Sequence, residues 1–168
     1  LRYDSGQKNR AMSLVMLRCG LRVSEVCDLT LPDLDMNARK IVVRDGKGGK
    51  DRQVWFSERV REALANWLEV RPEVDGDELW VFPTREGTRT TRQSIHRTIK
   101  TYAEKAGIQN WEEVSPHTLR HSFATDLYRE TNNIRTVQKA LGHADVSTTM
   151  IYTHSVDEEL ENSMKALE

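Results

Sequence analysis

"SPHTLRHSFATDL", residues 115–127, is the stretch from which the rest of the chain is best read. Ser115 is a good N-cap, because its hydroxyl can accept from a backbone N–H of the first turn, and Pro116 suits the first helical position, where no N–H is needed. A helix therefore starts here. His117 and Arg120 are three residues apart and share one face, whereas Leu119, Phe123 and Leu127 step along another, so the spacing predicts one face for the core and one for a site. The cations stand at the end that the macrodipole makes positive, which disfavours them unless an anion is close.

The same signals organise the sequence on both sides of this helix. Asp4 and Gln7 fit a capping box ahead of Ala11, Leu14, Val15 and Met16, with Gly20 as the stop, and a short helix is predicted over Val23–Leu29. "LDM" (34–36), "IVVR" (41–44) and "RQVWF" (52–56) read as three short strands, the last two joined by the glycine-rich "DGKGGK" turn at 45–50. Ser57 is predicted to cap a helix that runs to Arg71, "LWVFP" (79–83) is extended, and Thr91–Ala106 is helical with Gly107 behind it. The fragment around Trp111 is connective. After residues 115–127 come a helix over Ile134–Leu141 stopped by Gly142, a short one at Thr148–Tyr152, and an amphipathic one from Asp157 with Ser155 and Glu158 as its capping box. The predicted class is mainly α with a small three-stranded antiparallel β-sheet.

At 168 residues, 38% hydrophobic and 30% charged, with no apolar run of bilayer length, the sequence describes one domain with no membrane role. Cys19 and Cys27 form no CxxC pair and sit among apolar helical neighbours, which predicts buried thiols in a reducing cytoplasm. The first residue is already close to a helix, which suggests a piece of a longer protein. The formal net charge of −1 hides an asymmetry: residues 155–168 carry five acids against Lys165, which leaves +3 for the other 154 residues. Two stretches concentrate that excess. Arg39, Lys40, Arg44, Lys47, Lys50 and Arg52 fall within 39–52, and Arg85, Arg89, Arg92, Arg97 and Lys100 within 85–100. Both are candidate phosphate-contacting patches.

Several chemistries fail on spacing. His117 and His121 have the separation of a helical zinc pair, but Thr118 stands where the HExxH glutamate is needed, and "DGKGGK" lacks the GxxxxGK[ST] frame of a nucleotide-binding loop. Neither metal nor ATP is implied, and no cofactor is expected. What remains is a set of arginines, histidines and a hairpin lysine suited to a phosphate that gains charge in a transition state. The nucleophile stays open among Tyr3, Tyr102, Tyr128 and Tyr152.

"GLRVSEVCDL", "GKGGK", "HTLRHSFAT" and "LGHADVSTTMIYTH" follow one another in the order, and with nearly the spacing, of the tyrosine recombinase (phage integrase) catalytic domain, which the sequence resembles over almost its whole length. The resemblance implies that Arg22, Lys47, His117, Arg120, His143 and Tyr152 occupy the family's catalytic positions, with Tyr152 as nucleophile. It implies Glu25 and His121 as supporting residues, the former orienting Arg22 or another member of the site. It also makes the helix from Thr91 a major-groove reader, with Arg89, Arg92, His96 and Arg97 as candidate DNA contacts beside Arg44 and Lys50. The implied organisation is a catalytic domain over 1–154 and a helical tail over 155–168 for subunit exchange, with the family's N-terminal DNA-binding lobe outside this sequence. The implied partners are double-stranded DNA target sites and, on paired sites, a homotetramer. Without DNA a monomer or weak oligomer is expected, and there is room for accessory DNA-bending proteins. The alternatives are a type IB topoisomerase-like enzyme and a catalytically silent DNA-binding or assembly module.

Overall fold

The structure, a computed structural model, describes residues 4–44, 51–74 and 79–142. Six α-helices and three β-strands lie among them, with short 3-10 turns at Leu31–Asp33 and Trp111–Glu113. Helices α1 (Ser5–Cys19) and α2 (Val23–Asp28) come first, then strands β1 (Leu34–Asp35), β2 (Lys40–Val43) and β3 (Arg52–Trp55), and then helices α3 (Glu58–Val70), α4 (Arg92–Lys105), α5 (Pro116–Thr131) and α6 (Ile134–Leu141). The turn at 45–50, the Thr148–Tyr152 helix and the tail helix lie outside the described residues.

The strands form an antiparallel sheet in the order β1-β2-β3, with Ile41 opposite both Leu34 and Val54 and Val43 opposite Arg52. Because side chains alternate across a strand, this register puts Ile41, Val43, Val54 and the Arg52 side chain on the core-facing side and leaves Trp55 in solvent. The larger core joins α1, α2, the sheet, α3, Val81, Phe82 and the inward stripe of α4, Ile95 and Ile99. A smaller one packs Ala124 of α5 against Val137 and Leu141 of α6. The extended segment after α3 is pinned from two sides. Trp67 Nε1 donates to the Val81 carbonyl at 2.7 Å, and the buried Lys8 amine donates to Pro83 O at 2.6 Å and Thr90 Oγ1 at 2.7 Å. Burial lowers the Lys8 pKa to about 8, the cost of holding a cation there.

Helix ends follow the sequence signals closely. Asp4 accepts from the Gly6 and Gln7 N–H groups, Asn133 from Arg135 and Thr136, and α1 and α6 stop at Gly20 and Gly142, both with φ near +66°. Ser57 is a correction: it occupies the N-cap of α3 without a side-chain cap bond. Thr118 gains a role. It exchanges hydrogen bonds with Ser115 across the first turn of α5, so the residue that excluded a zinc motif is the second half of a capping box.

Helix α5 turns Leu119 to the larger core and Phe123 and Leu127 to the smaller one, as expected, but its most deeply buried residues are Pro116, Arg120, Ala124 and Thr125. Arg120 takes a core position, while His117, one turn earlier, is exposed.

Candidate active site

Arg120 is tolerated inside because its charge meets the ends of two other helices. Its guanidinium donates through Nη1 to the Gly20 carbonyl, which ends α1, and through Nη2 to the Leu141 carbonyl at 2.7 Å, which ends α6. Helix C-termini carry partial negative charge, so the cation that α5 places at its own positive end is compensated from outside. The anion sought in the sequence is in part built from backbone.

The rest of the compensation is Glu25. Three residues after Arg22, its carboxylate accepts from the Arg22 N–H at 2.6 Å and from Arg22 Nη1 at 2.8 Å, so it caps the first turn of α2 and holds the Arg22 side chain together. Arg120 Nη1 lies 3.9 Å from Oε2, the oxygen that accepts from the Arg22 N–H. Arg52 closes the group with a fork, Nη1 to Oε1 at 2.7 Å and Nη2 to Oε2 at 2.8 Å. Burial pushes the Glu25 carboxyl up, but the Arg52 fork, the Arg22 N–H and the Arg120 charge outweigh it and hold the pKa below its ordinary value. Three guanidiniums around one carboxylate leave a net charge of +2 where α1, α2, β3, α5 and α6 converge. Arg22 is the open member, with 41% of its side chain exposed, and it lines a cleft of about 210 Å³ with Asp28, Asp33, Val43 and Arg44.

Of the residues implied by the resemblance, the structure therefore brings Arg22, Glu25 and Arg120 together, with His117 exposed on the first turn of α5. His121 is half-buried, and its pKa is lowered by burial and by the neighbouring His117. Lys47, Lys50, His143 and Tyr152 lie outside the described residues, although Gly142, next to His143 in sequence, caps α6 beside Arg52. Among the described residues no group of three or more His, Cys, Asp or Glu side chains could hold a metal ion, and no helix is long and apolar enough to cross a membrane. Cys19 and Cys27 are free and buried.

Arg52 entered the sequence reading only as one charge in a basic stretch. Its signal was the alternation of "RQVWF": an arginine at the strand parity of Val54 and Phe56 points inward and needs a buried partner. The stretch itself is less of a patch than expected, since Arg39 pairs with Glu58 and Arg44 with Asp33 as well as Arg52 with Glu25. In the second stretch Arg89 pairs with Asp28 above the Trp80 ring, 6.0 Å from its centroid. Helix α4 keeps its charges outward, with Arg92, His96, Arg97 and Lys100 all exposed opposite Ile95, Ile99 and Ala103.

Comparison with known proteins decides the family. The model of the phage integrase family matches residues 3–159. The chain belongs to the phage integrase family. Among its curated relatives, tyrosine recombinase XerD of Pseudomonas putida is 44% identical over 158 residues, covering 89% of this chain and 50% of the relative. Tyrosine recombinase XerC of Vibrio cholerae is 36% identical over 148 residues, covering 88% and 47%. Solved structures agree in fold. The XerA recombinase crystal structure superposes with a TM-score of 0.79 at 35% identity, over 98% of this chain and 65% of that one. The XerH site-specific recombinase, bound to a palindromic difH substrate in a post-cleavage complex, gives a TM-score of 0.81 at 28% identity, over 98% and 47%. The chain thus spans about half the length of the curated integrase-family relatives it matches.

Proposed function

We propose that the chain is the catalytic part of a site-specific DNA recombinase that cuts and rejoins DNA through a 3′-phosphotyrosine, without metal or ATP. The observation that carries the reading is the convergence of Arg22 and Arg120, from opposite ends of the described chain, on the two oxygens of Glu25 with a net positive charge left over. Such a group favours a phosphate whose charge is growing.

In this mechanism the Tyr152 oxygen attacks phosphorus, the bond to the 5′-oxygen breaks, and the phosphate stays on the enzyme as a 3′-phosphotyrosine, so the bond energy is kept for rejoining. A phenol with a pKa of about 10 needs help to ionise. The exposed His117 accepts its proton, while Lys47 supplies one to the leaving 5′-oxygen. Arg22, Arg120 and His143 hold the non-bridging oxygens, and their charge takes the place of a divalent ion. DNA lies along the outward face of α4, with Arg89, Arg92, His96 and Arg97 beside its backbone and grooves and Arg44 and Lys50 near the hairpin. Residues 1–154 form the catalytic domain. The tail over 155–168 has Leu160, Met164 and Leu167 at helical spacing and docks on a neighbouring protomer, joining four copies on paired sites; without DNA the protein is monomeric or weakly associated.

Incubating the full-length protein with supercoiled DNA, with and without paired target sites, tests the reading. Recombinant circles that appear only with paired sites are expected. Relaxation of either DNA without recombinants would instead favour a type IB topoisomerase-like enzyme, and no strand cleavage a silent binding module.

A further inference from the structure

Arg52 lies outside the four family motifs quoted above, yet it is anchored at the Glu25 cluster from two sides. Its side chain is 11% exposed, both Nη groups are spent on Glu25, and Nε donates to the Ala140 carbonyl at 3.0 Å. A Cβ at Gly142 would come within 2.9 Å of Arg52 Cδ, so the glycine stop of α6 is also the space the arginine occupies. With each of its three guanidinium nitrogens bonded inside the protein and little of the side chain exposed, Arg52 is not placed to bind DNA. Its surroundings suggest a different task. A buried carboxylate beside Arg22 and Arg120 competes with a phosphate for the same guanidiniums, and without Arg52 the cluster charge would fall from +2 to +1.

We propose that Arg52 is a positioning residue for strand cleavage: by clamping Glu25 to the end of α6, it keeps the charge of Arg22 and Arg120 directed at the scissile phosphate. The inference rests on the recombinase reading above. Glu25 fixes Arg22 through its side chain and backbone, and Arg52 offsets the negative charge that this service introduces. The bond to Ala140 draws in the α6 terminus, whose Leu141 carbonyl holds Arg120. One side chain thus sets both arginines.

The test is single-turnover cleavage of a nicked suicide substrate by the full-length protein, with DNA affinity measured separately. Arg52→Gln should slow cleavage by about 10- to 100-fold, less than loss of a direct transition-state contact, with little change in affinity. Adding Glu25→Gln to that variant should recover roughly 3- to 100-fold, the range for coupled neighbours, because the charge that Arg52 offset is gone. Arg52→Lys, which keeps the charge but not the fork, should be faster than Arg52→Gln. A purely structural role predicts the opposite for the double variant, which loses more contacts and would be as slow as Arg52→Gln or slower. That result, or Arg52→Gln cleaving at the parent rate, overturns the proposal. If Arg52→Gln does not fold, the double variant decides: cleavage within about tenfold of the parent supports the proposal, and a larger loss overturns it. Failure of the parent itself to form a covalent adduct would instead remove the recombinase reading, and the inference with it.

Discussion

Arg120 combines three properties that normally conflict, being charged, buried and close to the N-terminus of its own helix. The conflict is settled by the carbonyls of Gly20 and Leu141 and by the nearby Glu25 carboxylate. Arg120→Ala should therefore do two things at once. Cleavage should fall by about 10²- to 10³-fold, as for removal of one oxyanion-stabilising donor. Stability to urea should also fall, by roughly 1–3 kcal/mol for each carbonyl left without a partner. Equal losses in DNA affinity and rate would make Arg120 a docking residue instead. The family resemblance singles out Arg120, but its buried position was not legible, because the spacing that sets Leu119, Phe123 and Leu127 toward the cores left the cations to an open face. An arginine with fixed acceptors can take an interior position. Arg52 shows the same blind spot on a strand, where parity alone pointed inward and the charge obscured it.

Among the elements, the ends matter more than the bodies. Helices α1 and α6 stop at glycines in the left-handed region, and these turns leave the final carbonyls facing Arg120. Gly20 is under the tighter constraint, since a Cβ there would meet the Phe123 ring at 2.3 Å, whereas at Gly107, also with φ +67°, nothing lies within 4 Å. Gly107→Ala should cost about 1–2 kcal/mol in urea denaturation, the left-handed penalty alone. Gly20→Ala should cost roughly 1–3 kcal/mol more, because the ring must move in a packed interior, and cleavage should drop with the displaced Arg120 acceptor. Equal costs at the two positions would mean that the Phe123 contact carries no weight. Both stops, the strand pattern and the caps at Asp4 and Ser115 were readable from local chemistry, whereas Thr91, read as the first helical residue, is the N-cap of α4. Which carbonyl meets which cation was not, since that depends on contacts between segments 21 to 100 residues apart, for which a single sequence holds no periodic signal.

At the scale of the whole molecule, two hydrophobic clusters meet at a charged seam. The larger holds α1, α2, the sheet, α3 and the inner face of α4, the smaller α5 with α6, and Arg120, Arg52 and Glu25 bridge them with ionic and carbonyl bonds. A phosphate bound by Arg22 and Arg120 would touch both sides of this seam, so binding and the relative placement of the clusters are coupled. The outward charges of α4 lie on the larger unit, so in the proposed reaction that surface would grip DNA while the seam acts on a single phosphodiester. Family membership follows from the match over residues 3–159, but the chemistry rests on a tyrosine at 152 acting within this frame. The most direct measurement is a denaturing gel of the full-length protein and its Tyr152→Phe variant on a nicked suicide substrate in EDTA. The account predicts a 3′-linked covalent protein–DNA adduct for the parent, undiminished by the chelator, and none for a variant that melts at the same temperature. An adduct that persists in Tyr152→Phe, or one that forms in the parent only when a divalent ion is restored, would contradict it.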